Sequence, residues 1–154
     1  MYRILVVDNE PYVVDWIAFL IETKSRQEVD VCRAYTAKEA LQWLAKTRID
    51  VLVSDISMPG MDGLELAGIV KEQWPYAKVV LITAYAEFDY AVTAIRNNVV
   101  GYVLKNQGDD VIFAEIERAM KMVETQIEQE GRESHRDIHY VLPMLQSRLL
   151  QDIL

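Results

Sequence analysis

The 154-residue chain is predicted to fold as an α/β domain, an open five-stranded parallel sheet wound on both faces by helices, with a helical extension at its C-terminal end. Two observations carry this prediction. Short apolar runs recur along the chain, most of them continuous rather than alternating, as strands covered on both faces require. Stretches of helical period separate them, so each strand reaches the next through a crossover, and such crossovers are right-handed almost without exception.

Taken in order, Ile4 to Val7 is the first strand and Pro11 to Ile21 the first helix, with Val14, Ile17, Ala18 and Ile21 on one face. Val29 to Ala34 alternates apolar and polar residues and suits an edge strand. Thr36-Ala37-Lys38-Glu39 is a capping box, in which the Thr36 hydroxyl accepts from the Glu39 amide and the Glu39 carboxylate reaches back. The helix it opens buries Ala40, Leu41 and Leu44. Val51 to Val53 is the third strand, and Leu64 to Trp74 the third helix, stopped by Pro75. Val79 to Ile82, a helix over Tyr90 to Asn97, then Val99 to Leu104 broken by Gly101, and a helix from Asp109 onward complete the pattern. The product is a doubly wound sheet of order 2-1-3-4-5, in which ligands bind beyond the carboxyl ends of the strands, where the winding direction reverses.

The bulk properties set limits. The chain is 51% hydrophobic and 26% charged, ordinary for a globular protein. No apolar run approaches the roughly eighteen residues that span a bilayer. The start, Met1-Tyr2-Arg3 followed directly by Ile4, lacks the shape of a signal peptide. A single cysteine, Cys32, allows no internal disulfide and fits a reducing cytoplasm. A net charge of -8 argues against direct grip on a nucleic-acid backbone, which needs a basic face.

The strand ends bring together Asp8-Asn9-Glu10, Ser54-Asp55-Ile56-Ser57, Thr83-Ala84 and Lys105. Carboxylates, a hydroxyl and an ammonium on one sheet edge suit phosphoryl transfer to a carboxylate. Asp55 is the candidate nucleophile, the acidic loop and Asp55 the candidate seat of a hard cation such as Mg2+, and Lys105 and Thr83 the partners of the phosphoryl oxygens.

These residues also carry a resemblance. Val6-Val7-Asp8-x-Glu10-Pro11, Asp55-Ile56-Ser57-Met58-Pro59-Gly60-Met61-Asp62-Gly63, Thr83-Ala84 and Lys105, each at its strand end, resemble the receiver domains of bacterial two-component response regulators over residues 1–125. The resemblance implies a flavodoxin-like receiver fold and a phosphorylation-controlled signalling switch rather than an enzyme. Asp55 would take a phosphoryl group from a sensor histidine kinase. Mg2+ would be held by Asp8 through water, Asn9, Asp55 and the Ser57 carbonyl. Ser57 and Tyr85 would tune autodephosphorylation. Thr83 and Tyr102 would couple the phosphoryl group to the face made by the fourth helix, fifth strand and fifth helix.

After Gly131, Tyr140-Val141-Leu142-Pro143-Met144-Leu145-Gln146-Ser147-Arg148-Leu149-Leu150 is similar to the linker of response regulators with a C-terminal AraC-type DNA-binding domain. That implies a linker over residues 126–154 and DNA contact only through a domain absent from this chain.

Two positions depart from the family pattern. Asn9 stands where a second Asp is usual, losing up to roughly 4 kcal/mol of Coulomb attraction at ~4 Å and a dielectric near 20; Glu10 is a candidate to replace it in part. Lys105-Asn106 replaces a frequent Lys-Pro, so a trans bond is expected there. Asn9 also supports a rival reading, a receiver-like dimerisation or binding module without phosphate control. The enzyme readings fail on motif: no Gly-x-x-x-x-Gly-Lys follows the first strand, and Ser57 stands where a dehalogenase-type phosphatase needs a second acid.

Other features read as structure. Trp16, Trp43 and Trp74 fit helix faces on the sheet, and Cys32 fits the core. His135 and His139 lack a third ligand and read as a solvated helix face. In the last helix Ile112, Ile116, Ala119, Val123 and Gln126 form a stripe, widened by Met120 and Ile127. Beyond Val123 it has nothing of its own domain to cover, so a homodimer through a short coiled coil, with Ile138 to Ile153 a candidate second element, is expected.

Overall fold

The computed structural model describes residues 1–84 and 97–136, with side chains through Gln129. Tyr85, the fourth predicted helix apart from Asn97, the His135 and His139 side chains, and the stretch from Ile138 to Ile153 therefore lie outside the described residues.

Five parallel strands pair in the order β2-β1-β3-β4-β5, as the crossovers require. They are β1 (Tyr2–Val7), β2 (Val29–Ala34), β3 (Val51–Asp55), β4 (Lys78–Thr83) and β5 (Val99–Leu104). The described helices are α1 (Pro11–Lys24), α2 (Ala37–Lys46), α3 (Gly63–Gln73) and α4 (Asp109–Arg136), the last being the fifth of the sequence prediction.

The continuous apolar runs have a direct explanation. Alternate residues of each strand point to opposite faces, and each face fills its own cluster. Leu5, Val7, Leu52 and Leu81 pack with Ala40 and Leu44 of α2 and with Leu66 and Val70 of α3. Ile4, Val6, Val51, Val53, Val80 and Ile82 pack with Val14, Ile17 and Ile21 of α1 and with Ile112, Ile116 and Ala119 of α4. Cys32 is buried at the edge strand.

Local sequence sets the helix ends. Pro11 opens α1, where its missing N–H costs nothing. Thr36 Oγ1 accepts from the Glu39 amide at 3.1 Å. The Glu39 carboxylate reaches back, but to the Tyr35 amide at 2.7 Å, one residue before the cap. Ala37, Ala40 and Leu44 are buried in α2, and Leu41 only in part. Asp62 caps α3, its carboxylate accepting from the Glu65 amide at 2.8 Å. Trp74 is buried, but Trp43 is 36% exposed and lies at the sheet's edge rather than on its face, its indole N–H donating to the Arg33 carbonyl of the edge strand.

The ladder between β4 and β5 carries one irregularity. Val79 pairs with Val99 but Val80 with Gly101, so Val100 is an extra residue, and its carbonyl accepts from the Arg118 guanidinium. Beyond it Thr83 pairs with Leu104, and the Lys105 amide donates to the Thr83 carbonyl at 2.8 Å. Among the described residues no peptide bond is cis, Lys105-Asn106 included, and no helix is long and apolar enough to cross a membrane. Burial along α4 ends at Val123, while Ile127 one turn later is 49% exposed.

Candidate functional site

The register brings the carboxyl ends of β1, β3, β4 and β5 side by side, and Asp8, Asp55, Thr83 and Lys105 with them. Asp8, just after β1, is held by backbone. Its amide donates to Ala34 at 3.3 Å, and its Oδ1 accepts from the Glu10 amide at 2.9 Å. Asp55 is the last residue of β3, and the Ile56 amide continues the ladder to the Ile82 carbonyl at 3.3 Å. Both carboxylates are buried, as is Thr83.

The loop after Asp55 is closed by Gly63, whose amide donates to the Ile56 carbonyl at 2.8 Å. A Cβ on Gly63 would stand 2.2 Å from the Asp55 carbonyl oxygen and 3.1 Å from Ile56 Cα. Glycine is required here for space. Within the loop Gly60 has φ of 81°, a left-handed conformation that side chains disfavour. Ser57 is exposed, and its backbone N–H works to lower the Asp55 carboxyl's pKa.

Lys105 sits among the acids. Its ammonium lies 2.8 Å from Asp8 Oδ2, 3.4 Å from Asp55 Oδ2 and 3.5 Å from Glu10 Oε1. The closest pair is an ion pair without hydrogen-bond alignment, for Asp8 Oδ2 is buried and has no hydrogen-bond partner. Glu10 turns its other oxygen to the Tyr12 hydroxyl, which donates to it. Asn9 is exposed.

The titration shifts follow from this crowding. Burial pushes the Asp55 carboxyl up, and the Asp8 charge adds to it, against the opposing pull of Lys105 and the Ser57 amide. Burial alone would lower Lys105, but the three carboxylates outweigh it and hold its ammonium above the usual range. Glu10 is held down by the Tyr12 hydroxyl first and the Lys105 charge second.

Chemically, this is a buried carboxylate beside one ammonium, with a threonine at the neighbouring strand end, open to solvent past Asn9 and Ser57. The available donors are carboxylate, amide and carbonyl oxygens, which suit a hard cation, and the buried Asp8 oxygen without a hydrogen bond fits that use. Among the described residues no three His, Cys, Asp or Glu side chains form a metal cage by themselves.

Sequence reasoning placed Asp8, Asp55, Thr83 and Lys105 at one sheet edge, and the structure brings them there. Tyr102 lies apart on β5, 40% exposed. Two features had no sequence signal: the Tyr12 grip on Glu10, and the contact of Gly63 with the Asp55 backbone.

A family model described as response regulator receiver domain matches residues 4–117. The chain is 29% identical over 135 residues to the uncharacterized transcriptional regulatory protein YesN of Bacillus subtilis, covering 88% of this chain and 37% of that protein. It is 38% identical over 119 residues to the DNA-binding transcriptional regulator NtrC of Proteus hauseri, covering 77% and 24%. The chain thus spans well under half of these relatives. Among solved structures it resembles the beryllofluoride-activated NtrC4 receiver domain dimer, with a TM-score of 0.71 and 27% identity over 80% of this chain and 99% of that one.

Proposed function

Because the chain belongs to the response regulator receiver domain family, whose domains gain and lose phosphate by their own chemistry rather than as classical enzymes, we propose that it is a phosphorylation-controlled switch with Asp55 as acceptor. The observation that carries this is the buried Asp55 at the end of β3, with the Lys105 ammonium 3.4 Å away. A carboxylate oxygen of Asp55 attacks the phosphorus of a phosphohistidine on a sensor histidine kinase. The O–P bond forms as the N–P bond breaks, and the imidazole departs with the electron pair. Lys105 takes a phosphoryl oxygen as the charge moves outward, and Thr83 donates its hydroxyl to another. Mg2+, when bound, neutralises phosphoryl charge. Asp8 through water, Asn9, Asp55 and the Ser57 carbonyl would hold it. Ser57 and, by the resemblance, Tyr85 set how fast water removes the phosphate.

Thr83 and Tyr102 carry the signal, altering the face of the fourth predicted helix, β5 and α4 as in other two-state, ligand-biased switches. Residues 1–125 form the receiver, and 126–154 a linker toward a transcription-regulating domain, of AraC type by its resemblance. DNA is reached only through that domain, in the cytoplasm. The exposed Ile127 beyond the last buried turn supports pairing of two copies. A dimer is also what the NtrC4 structure holds.

The test is intact mass after incubation with acetyl phosphate and Mg2+, beside Asp55→Asn. One added phosphoryl group, absent in the variant, is expected. No adduct, with one appearing in Asn9→Asp, would mean a receiver by fold that signals by binding alone.

A further inference from the structure

Asn9 leaves the cation site one negative charge short of the family pattern, and the structure offers a replacement. The Glu10 carboxylate faces the site, with Oε1 3.5 Å from the Lys105 ammonium. That ammonium is within 2.8 Å of Asp8 and 3.4 Å of Asp55. Glu10 does not hang free in solvent, for the Tyr12 hydroxyl holds its second oxygen. The buried Asp8 Oδ2 has the Lys105 ammonium at 2.8 Å but no aligned hydrogen bond, so it remains open to a cation. We propose that Glu10, aimed by Tyr12, supplies the second negative charge of this chain's divalent-cation site, a role that Asn9 cannot fill.

Glu10 acts through its charge at the rim rather than as a third carboxylate of a cage, since no such cage exists among the described residues. Tyr12 is a positioning residue, two positions along and just past the Pro11 that opens α1. The arrangement moves the negative charge one residue along the loop and fixes it by a side-chain hydrogen bond.

This inference rests on the site's being a Mg2+ site, and the two can fail separately. Mg2+ alone is titrated into the full chain by calorimetry at fixed ionic strength, with no phosphodonor present. Glu10→Gln, which removes no capping hydrogen bond because Glu10 makes none with its side chain, is expected to weaken binding roughly tenfold. Tyr12→Phe should weaken it by roughly two- to threefold by freeing the carboxylate. The transposed variant Asn9→Asp/Glu10→Gln should recover wild-type affinity. Unchanged affinity in Glu10→Gln, with clear saturable binding by the wild type, would overturn the role of Glu10 and leave the site intact. No saturable binding by the wild type would overturn the Mg2+ reading and this inference together.

Discussion

Replacing Gly63 by alanine adds one methyl group and no charge, and should nevertheless impair the proposed acceptor. The new Cβ would stand 2.2 Å from the Asp55 carbonyl oxygen, 3.0 Å from its carbon and 3.1 Å from Ile56 Cα. Reaching ordinary contact at 3.4 Å means a backbone displacement of 3.4 minus 2.2, or 1.2 Å. All three obstructing atoms are backbone, so no side-chain rotation relieves the clash. Overpacking of this kind costs about 1–3 kcal/mol, or roughly 4–8 °C in Tm for 2 kcal/mol at this chain length. The larger effect is on chemistry. The displaced atoms belong to Asp55, the proposed acceptor, and a shift near 1 Å costs on the order of a hundredfold in rate. The assays are thermal melting and the rate of phosphoryl incorporation from acetyl phosphate, followed by intact mass. A variant that melts and labels like the wild type would refute the reasoning, because the loop would then yield where the packing says it cannot.

Two further outcomes concern the charges. Asp55→Asn should raise Tm at pH 7. Folding raises the Asp55 pKa above its ordinary 3.8, so this group's stabilisation is complete below 3.8 and is lost as pH rises through the folded value. At neutral pH the ionised side chain is a net cost, which asparagine removes; the advantage should vanish below pH 3.8 in paired melts, and a lower Tm at pH 7 would count against it. Lys105→Met leaves Asp8 and Asp55, with side chains only 2% and 7% exposed, facing each other without a counter-ion. Denaturant unfolding should show a loss of roughly 3–5 kcal/mol at pH 7, shrinking as acid protonates Asp55, and a loss that does not depend on pH would refute the electrostatic account.

Much of this was legible in the sequence because hydrophobic burial and chain connectivity act locally. Continuous runs such as Val51 to Val53 announced strands covered on both faces, and the alternation from Val29 to Ala34 announced the edge. The strand ends then named Asp8, Asp55, Thr83 and Lys105. Tyr2 and Arg3 join β1 through pairing with Val29 and Asp30, which hydropathy does not reveal in a tyrosine and an arginine. The Glu39 carboxylate landed on Tyr35 rather than Thr36 because its reach is decided by the loop before the helix. Trp43 read as a sheet-covering residue because its bulk resembles core, but its N–H found a carbonyl at the sheet's margin. That Lys105 lies closer to Asp8 than to Asp55, and that Tyr12 grips Glu10, depends on side-chain rotamers and partners brought together only by folding.

The extra residue at Val100 has a consequence for how this site can change over generations. A bulge sets two residues of β5 against one of β4, and the ladder resumes its pairing beyond it. Deleting Val100 alone would join Val99 to Gly101, whose partners Val79 and Val80 are already consecutive, and leave Leu104 opposite Thr83. Lys105 would keep its place beside the acids. What such a deletion gives up is the Val100 carbonyl that receives the Arg118 guanidinium. The bulge is a spare residue, where this strand can shorten without moving its cation.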